Sequence, residues 1–396
     1  METRDGTERT YDVVLFGATG FVGELTARYL ATHAPATCRW ALAGRSLDKL
    51  ERLRDRLAAE HPRCADLPLV TADAADRDSM RTLAKSARVV ATTVGPYVWY
   101  GEPLVAACAE AGTDYVDLTG EPEFVDLMYV RHDARARETG ARIVHACGFD
   151  SVPHDLGVYF TVAQLPGDVP LAVDGFVRSN AFFSGGTFAS ALTAMARGRH
   201  MARAARERRL HEPRLVGRRA RAPLAAPRFS RETGAWALPL PTLDASVVAR
   251  SAAALPQYGP DFRYRHYAAV RTLPMALGGT AAMGGLFALA QVPPARRWLM
   301  DRYEAGQGPD EERRARSWFT VRFVGEGGGR RVFTEVSGGD PGYDETAKML
   351  AESALSLAFD DLPKTAGQLT TAVAMGDALL ERLTRAGIRF RVADSR

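Results

Sequence analysis

The stretch Val13-Val14-Leu15-Phe16-Gly17-Ala18-Thr19-Gly20-Phe21-Val22-Gly23 decides how this chain folds. Its opening apolar run has the composition of a buried strand, and glycines follow at intervals of three residues. A helical pattern of Leu25, Ala27, Tyr29 and Leu30 comes next, with no Gly or Pro to break it. Strand, glycine turn and helix in that order is the context in which such a triplet binds a dinucleotide. Gly17 permits the tight turn, Gly20 lets backbone approach a pyrophosphate, and Gly23 lets the helix pack on the strand. The free N–H groups and positive dipole end of the new helix then face the phosphates. Thr19, Phe21 and Val22 complete the turn and are expected to line the cofactor.

The next strand, Trp40-Ala41-Leu42-Ala43-Gly44, ends in Arg45-Ser46. An NAD-selective site places an acid near this point to accept from the ribose hydroxyl. Here the chain offers a guanidinium and a hydroxyl, which suit a 2′-phosphate. Ser46 also reads as the cap of a helix from Leu47 to Ala59. Arg45 lies 22 residues after Gly23, where the ribose reader belongs. The expected cofactor is therefore NADPH.

Outward from this core, strands and helices alternate to about Ala146. Leu67–Val70 is a third strand, and Asp73 leaves its end either to read the adenine amino group or to cap the helix from Arg77 to Lys85. Val89–Thr93, Tyr115–Leu118 and Arg142–His145 are further strands. Such near-continuous apolar strands imply a parallel sheet covered on both faces, with ligands beyond its carboxyl ends. The predicted fold is a Rossmann-type doubly wound parallel α/β sheet, with a second α+β domain inserted before the C-terminal helices. Residues 1–150 form the NADP-binding domain, to which 345–396 return, and 151–344 form a substrate or dimerisation domain.

The whole chain bounds this reading. At 396 residues, 46% hydrophobic and 25% charged, it has the size and composition of a folded two-domain protein. A net charge of +4 gives no reason to expect nucleic acid as a partner. Cys38, Cys64, Cys108 and Cys147 show no short pairing and no His/Cys zinc spacing, so no metal is expected. With no signal peptide ahead of the first strand, the expected compartment is the cytoplasm.

After Asp150 the pattern changes. A helix over Asp155–Gln164, a strand near Leu171–Arg178 and a helix over about Thr187–Arg209 are predicted. Between Arg197 and Arg231 stand 12 arginines, opposed only by Glu207 and Glu212. From Thr272 to Ala295 no charged residue occurs for 24 positions. That is long enough to span a bilayer. Its glycines, alanines and Pro274 favour instead a buried helical hairpin, or an apolar wall in which Met275, Met283, Leu286 and Phe287 line an acyl channel. Trp318–Val324 and Arg331–Val336 read as an antiparallel hairpin, followed by helices over Asp344–Ala358 and Met375–Thr384 and a strand over Ile388–Val392.

Five segments together carry a family resemblance: Phe16–Gly23, Leu42–Ser46, Thr93-Val-Gly-Pro-Tyr97, Tyr115-Val-Asp-Leu-Thr-Gly-Glu121 and His145-Ala-Cys-Gly-Phe-Asp-Ser-Val-Pro153. The chain resembles the saccharopine dehydrogenase-like reductases, and within them the bacterial trans-acting enoyl reductases, which act in making polyketide-derived lipids. The likeness is dense over residues 11–160, thin from 161 to 315, and returns at Gly338–Tyr343 and Ala374–Asp377. It implies an NADPH-dependent oxidoreductase and leaves the substrate open.

Such a reductase needs hydride delivery, polarisation of the acceptor and a proton source. Thr93, Val94, Gly95 and Pro96 are expected beside the nicotinamide. Tyr97 and Tyr100 follow, as proton donors or as aromatic packing. Asp150 and His154 sit where a second domain closes over the site; each is a proton donor, or else a helix cap and a surface imidazole respectively. Cys147 reads as a structural thiol, and Asp117 and Glu121 as an amine site or a strand-end network. Three functions fit: an enoyl reductase acting on an apolar acyl or polyketide substrate, free or carrier-bound; a saccharopine-type imine reductase; or a non-catalytic NADPH-binding protein at the membrane periphery. The expected assembly is a homodimer.

Overall fold

The computed structural model describes residues 9–181, 192–302 and 308–394. The first half builds β1 (Tyr11–Phe16), α1 (Phe21–His33), β2 (Trp40–Gly44), α2 (Leu47–Glu60), β3 (Leu69–Thr71), α3 (Arg77–Ser86) and β4 (Ala87–Thr92). It continues with α4 (Tyr97–Tyr100), α5 (Glu102–Ala111), β5 (Asp114–Asp117), α6 (Pro122–Thr139) and β6 (Arg142–Val144). These strands form one parallel sheet in the order β6-β5-β4-β1-β2-β3, which β14 (Gly367–Leu369) extends beyond β6. The order reverses between β1 and β4, and that switch point opens the ligand crevice.

The second sheet holds β7 (Leu171–Ser179), β8 (Arg219–Arg221), β9 (Arg228–Ser230), β10 (Ala235–Pro239), β11 (Asp261–Val270), β12 (Phe319–Gly327), β13 (Arg330–Gly338) and β15 (Arg389–Ala393). Its order is β15-β13-β12-β7-β11-β10-β9, with β8 beside β11. The β12–β13 hairpin extends beyond the strands expected over 318–324 and 331–336. Pairing runs to Gly327 and Arg330, and Gly328 and Gly329 turn the chain at φ +56° and +73°. Positive φ at both central residues matches the twist of the flanking strands.

The second half also contributes the helices α7 (Val152–Val162), α8 (Gly198–His211), α9 (Leu243–Ala254), α10 (Leu273–Ala290), α11 (Pro293–Arg302), α12 (Glu311–Ala315), α13 (Asp344–Phe359), α14 (Thr371–Ala374) and α15 (Gly376–Arg385). Helix α13 is buried on nearly every face, packed against α1, the parallel sheet and α15. Its buried Glu352 accepts from Tyr29 Oη (2.7 Å) and Arg382 Nη1 (3.1 Å), so the charge is compensated. A single apolar core runs from Val13 and Leu15 through α13 and α7 to Phe319 and Phe323, and couples the two sheets.

Four expectations change. The C-terminal segment does not return whole to the nucleotide domain: β14 does, but β15 pairs antiparallel with β13 at the edge of the second sheet, with Phe390 opposite Val336. The helix expected over 187–209 is broken at Arg197, with its described parts at 192–196 and 198–211, and residues 187–191 lie outside the described residues. The arginine-dense segment is not simply solvated. Arg197 pairs with Glu123, Arg208 with Asp126, Arg221 with Asp261 and Arg228 with Asp174. Finally, 272–295 is neither core nor an enclosed channel wall: α10 stands largely in the open. Composition alone marks a segment as apolar; whether the chain supplies a surface to cover it depends on packing.

Candidate active site

The glycine turn is built by close approach. Gly17 turns at φ +86°, and a Cβ there would meet Thr93 Oγ1 at 2.7 Å. At Gly23 a Cβ would stand 2.1 Å from the Gly17 carbonyl oxygen, so only glycine lets α1 start this near β1. Gly20 is different: it is exposed, extended (φ −80°, ψ 163°), and its nearest obstacle is the Gly17 oxygen at 3.4 Å. The N–H groups of Phe21, Val22 and Gly23 open α1 with no earlier turn to bond, which leaves them for an anion. Thr19 lies against Gly44 at the end of β2, and the Phe21 ring is held edge-on by Tyr343 and under Arg314. The turn thus has the cradle and the donors that a pyrophosphate needs.

At the end of β2, Arg45 is exposed and no described residue forms an ion pair with it. Ser46 caps α2 by accepting from Lys49 N (3.4 Å). Asp73 does not cap α3; Asp76 does, while Asp73 accepts from Ala75 N (3.0 Å) and closes its own turn. Beyond β4, Thr93 Oγ1 donates to the Gly17 carbonyl (3.0 Å) and Val94 N donates to Thr92 Oγ1 (3.2 Å). Residues 93–96 are thereby locked to the glycine turn across the switch point.

The structure gives Tyr97 a different task from proton donation. Its buried hydroxyl donates to Thr92 O and accepts from Leu118 N, both at 3.1 Å, and ties the ends of β4 and β5 together. Burial beside Asp117 pushes the phenol well above its ordinary range. Tyr100 is 48% exposed and outside that network. Glu121 accepts from Tyr97 N (3.0 Å) and Val98 N (2.8 Å), and fixes α4. Asp117 accepts from Tyr115 Oη, Thr119 N and Ala146 N, and its Oδ2 lies 2.7 Å from His145 Nδ1. These two acids are strand-end scaffolding. Burial raises the Cys147 thiol far above its ordinary value, which removes it as a nucleophile.

Asp150 and His154 meet two residues that the sequence reading did not single out, Asp244 and His266. Asp244 opens α9 and His266 lies on β11; α7, which carries His154, packs against α9. His154 Nε2 is 3.7 Å from Asp244 Oδ1, His266 Nε2 is 3.6 Å from Asp244 Oδ2, and Tyr264 Oη is 2.8 Å from His266 Nδ1. The ligand atoms of His154, Asp244 and His266 lie within 4.8 Å of one another, close enough to share one water or one divalent cation. Burial lowers both imidazoles, His266 to about 3. Burial pushes the Asp244 carboxyl up, but the imidazoles and the Thr242 hydroxyl (2.5 Å) draw it below its ordinary value. Asp150 goes the other way. Enclosure first, then the negative charge of Asp244, raise it to about 7. It caps no helix, keeps part of its surface open, and reaches the loop after β5, where a Cβ on Gly120 would stand 3.5 Å from its Oδ2. Two carboxylates driven apart in this way are held in opposite protonation preferences, Asp150 toward the acid form and Asp244 toward the carboxylate.

This geometry agrees with what the chain is similar to. Residues 13–144 match the family model of the saccharopine dehydrogenase NADP-binding domain. Rv2449c of Mycobacterium tuberculosis is 40% identical over 417 residues, 97% of this chain and 98% of that protein. The trans-acting enoyl reductase of the same species is 39% identical over 416 residues, 96% of this chain and 97% of that protein. The chain belongs to the trans-acting enoyl reductase family. The counterpart of that name from Mycobacterium leprae is 37% identical over 96% of the chain. Saccharopine dehydrogenase (L-Glu forming) from Saccharomyces cerevisiae, 13% identical, has the same fold at a TM-score of 0.53, covering 97% of this chain and 100% of that one.

As a member of this family, the protein is an NADP(H)-dependent oxidoreductase. Arg45, exposed at the end of β2, carries a guanidinium of the kind that a 2′-phosphate takes. Arg45→Ala is expected to remove about 1.5–3 kcal/mol of the preference for NADPH over NADH, the value of a hydrogen bond to a charged group. Fluorescence titration with both cofactors measures it, and an unchanged ratio would move the 2′-phosphate reader elsewhere.

Proposed function

We propose that this oxidoreductase is a trans-acting enoyl reductase that saturates a conjugated C=C on a polyketide or lipid intermediate, free or held on a carrier. The observation that carries the reading is the near-full-length similarity to proteins of that name. NADPH, when bound, supplies the hydride to the β-carbon. The chain's residues do the rest: 93–96 fix the strand-end wall, and Asp150, protonated around neutrality, delivers a proton to the α-carbon as electron density collects there.

The character of the cluster supports an acyl acceptor over an amino acid. Among the described residues, no lysine or arginine is a leading influence on Asp150 or Asp244. A saccharopine-type substrate brings carboxylates, which call for cations in the pocket.

The test is a panel of acceptors with NADPH deuterated at its transferable position. A long-chain α,β-unsaturated acyl thioester is expected to take deuterium at the β-carbon, with kcat/KM at least about tenfold above a short-chain enone, since each buried methylene adds about 0.8 kcal/mol. Turnover only with an amine and an oxo acid would replace this reading by the imine reductase, and cofactor binding without turnover on any acceptor would leave a binding protein.

A further inference from the structure

Helix α10 has no place in the core. Of its 18 residues only Ala276 and Ala290 are buried, while Met275, Leu277 and Phe287 are 60%, 63% and 52% exposed. Side chains added at Gly278, Gly284 or Gly285 would meet open space. A soluble monomer rarely leaves so large an apolar surface in water. A helix that docks in a protein groove carries one apolar stripe and one polar face. With no charged residue from Thr272 to Ala295, α10 is apolar around its whole circumference, which suits hydrocarbon on every side.

The topology decides how it meets that hydrocarbon. Helix α10 is about 27 Å long at 1.5 Å per residue, near the thickness of a bilayer core. Yet β11, which ends before it, and β12, which follows it, belong to one sheet with β7 between them. A crossing would need a second segment to bring the chain back. Helix α11, 10 residues long, covers about 15 Å and carries Arg296 and Arg297. It cannot cross. Helix α10 therefore enters and leaves through one leaflet.

Charge selects the leaflet's chemistry. From Phe262 to Met300 there is no Asp or Glu, while Arg271 precedes α10 and Arg296 and Arg297 follow it. Trp298, 54% exposed, stands beside them. Arginine and tryptophan at the margins of an apolar segment are the composition of a membrane interface facing anionic headgroups.

We infer that α10 docks this protein onto an anionic lipid surface, with its apolar residues among the acyl chains and Arg271, Arg296 and Arg297 at the headgroup phosphates. The docking stands whatever acceptor the enzyme reduces. It is tested by floating the full-length protein with phosphatidylcholine vesicles made with and without phosphatidylglycerol. The protein is expected to float with the phosphatidylglycerol vesicles, less so at high salt, and weakly with phosphatidylcholine alone. L277E/F287E is expected to lower vesicle binding at least about tenfold, because two apolar contacts are lost and two like charges meet the surface. R271E/R297E is expected to reduce binding to the level of the neutral vesicles. Both variants should keep NADPH affinity and the unfolding midpoint, which separates lost docking from misfolding.

A wild type that stays out of the floating fraction, or floats equally with neutral vesicles, overturns the inference. So does a wild-type dimer that L277E/F287E splits into monomers, since a second copy would then cover α10. Capture of an acyl carrier protein through α10, without vesicle binding, overturns it as well. None of these readouts depends on turnover, so the inference can fail while the enoyl reductase reading stands, or the reverse.

Discussion

Gly20→Val is expected to abolish NADPH binding while leaving the protein folded. The reason lies in the difference between the three glycines of the turn. Gly20 has an extended backbone that a β-branched residue adopts readily, and the nearest atom to its Cβ is 3.4 Å away. The folded state therefore loses little, about 0.5 kcal/mol at most, as for an exposed position away from packing. The valine methyl groups instead occupy the space in which a pyrophosphate reaches the N–H groups of Phe21, Val22 and Gly23. Loss of two hydrogen bonds to a charged group costs about 3–6 kcal/mol, a weakening of roughly 150- to 20,000-fold. Gly23→Ala should show the opposite pattern. A Cβ 2.1 Å from the Gly17 oxygen forces α1 away from β1, and the unfolding midpoint falls before any question of ligand arises. Fluorescence titration with NADPH and thermal unfolding of both variants separate these outcomes. Full NADPH affinity in Gly20→Val would place the phosphate site elsewhere.

That contrast also shows what the sequence could tell. Val13–Gly23 announces strand, turn and helix because each residue's role there is local: apolar run, positive φ, close approach, N-terminal donors. The position of Arg45 just beyond β2 is legible for the same reason, at a fixed distance from the turn. The acid–imidazole cluster was half legible. Asp150 and His154 follow β6 in a segment whose position in the fold could be foreseen, but Asp244 and His266 join them from α9 and β11. No spacing rule links 154, 244 and 266; only the second sheet brings them together. Tyr97 misled for a related reason. A phenol after β4 has the right chemistry, and the bonds to Thr92 and Leu118 that commit it are tertiary. Helix α10 misled most, since an apolar segment reads as core unless the packing shows that nothing covers it.

Asp150→Asn is expected to lower kcat by about 100- to 10,000-fold, the usual contribution of a positioned general acid, with NADPH affinity unchanged. The pH dependence makes the assignment specific. Asp150 is raised from an ordinary 3.8 to about 7 by enclosure and by the charge of Asp244, so the protonated form is the one the fold favours. Acid catalysis should then be full below about pH 7 and fall as pH rises through that value, and Asp150→Asn should flatten this limb. Stability follows the same sign. A carboxyl whose folded value lies above its unfolded one contributes stability at acid pH that is lost as pH rises toward 7, and the Asn variant should lack that loss. Asp244→Asn supplies the second arm. It removes the charge that helps raise Asp150, so the limb should move to lower pH while kcat at acid pH is largely kept; a residue that merely held the fold would lower kcat at every pH. Should Asp150→Asn keep its rate and its pH limb while Tyr100→Phe loses them, the proton comes from the exposed phenol, and the Asp150–Asp244 pair serves only to join α7, α9 and β11.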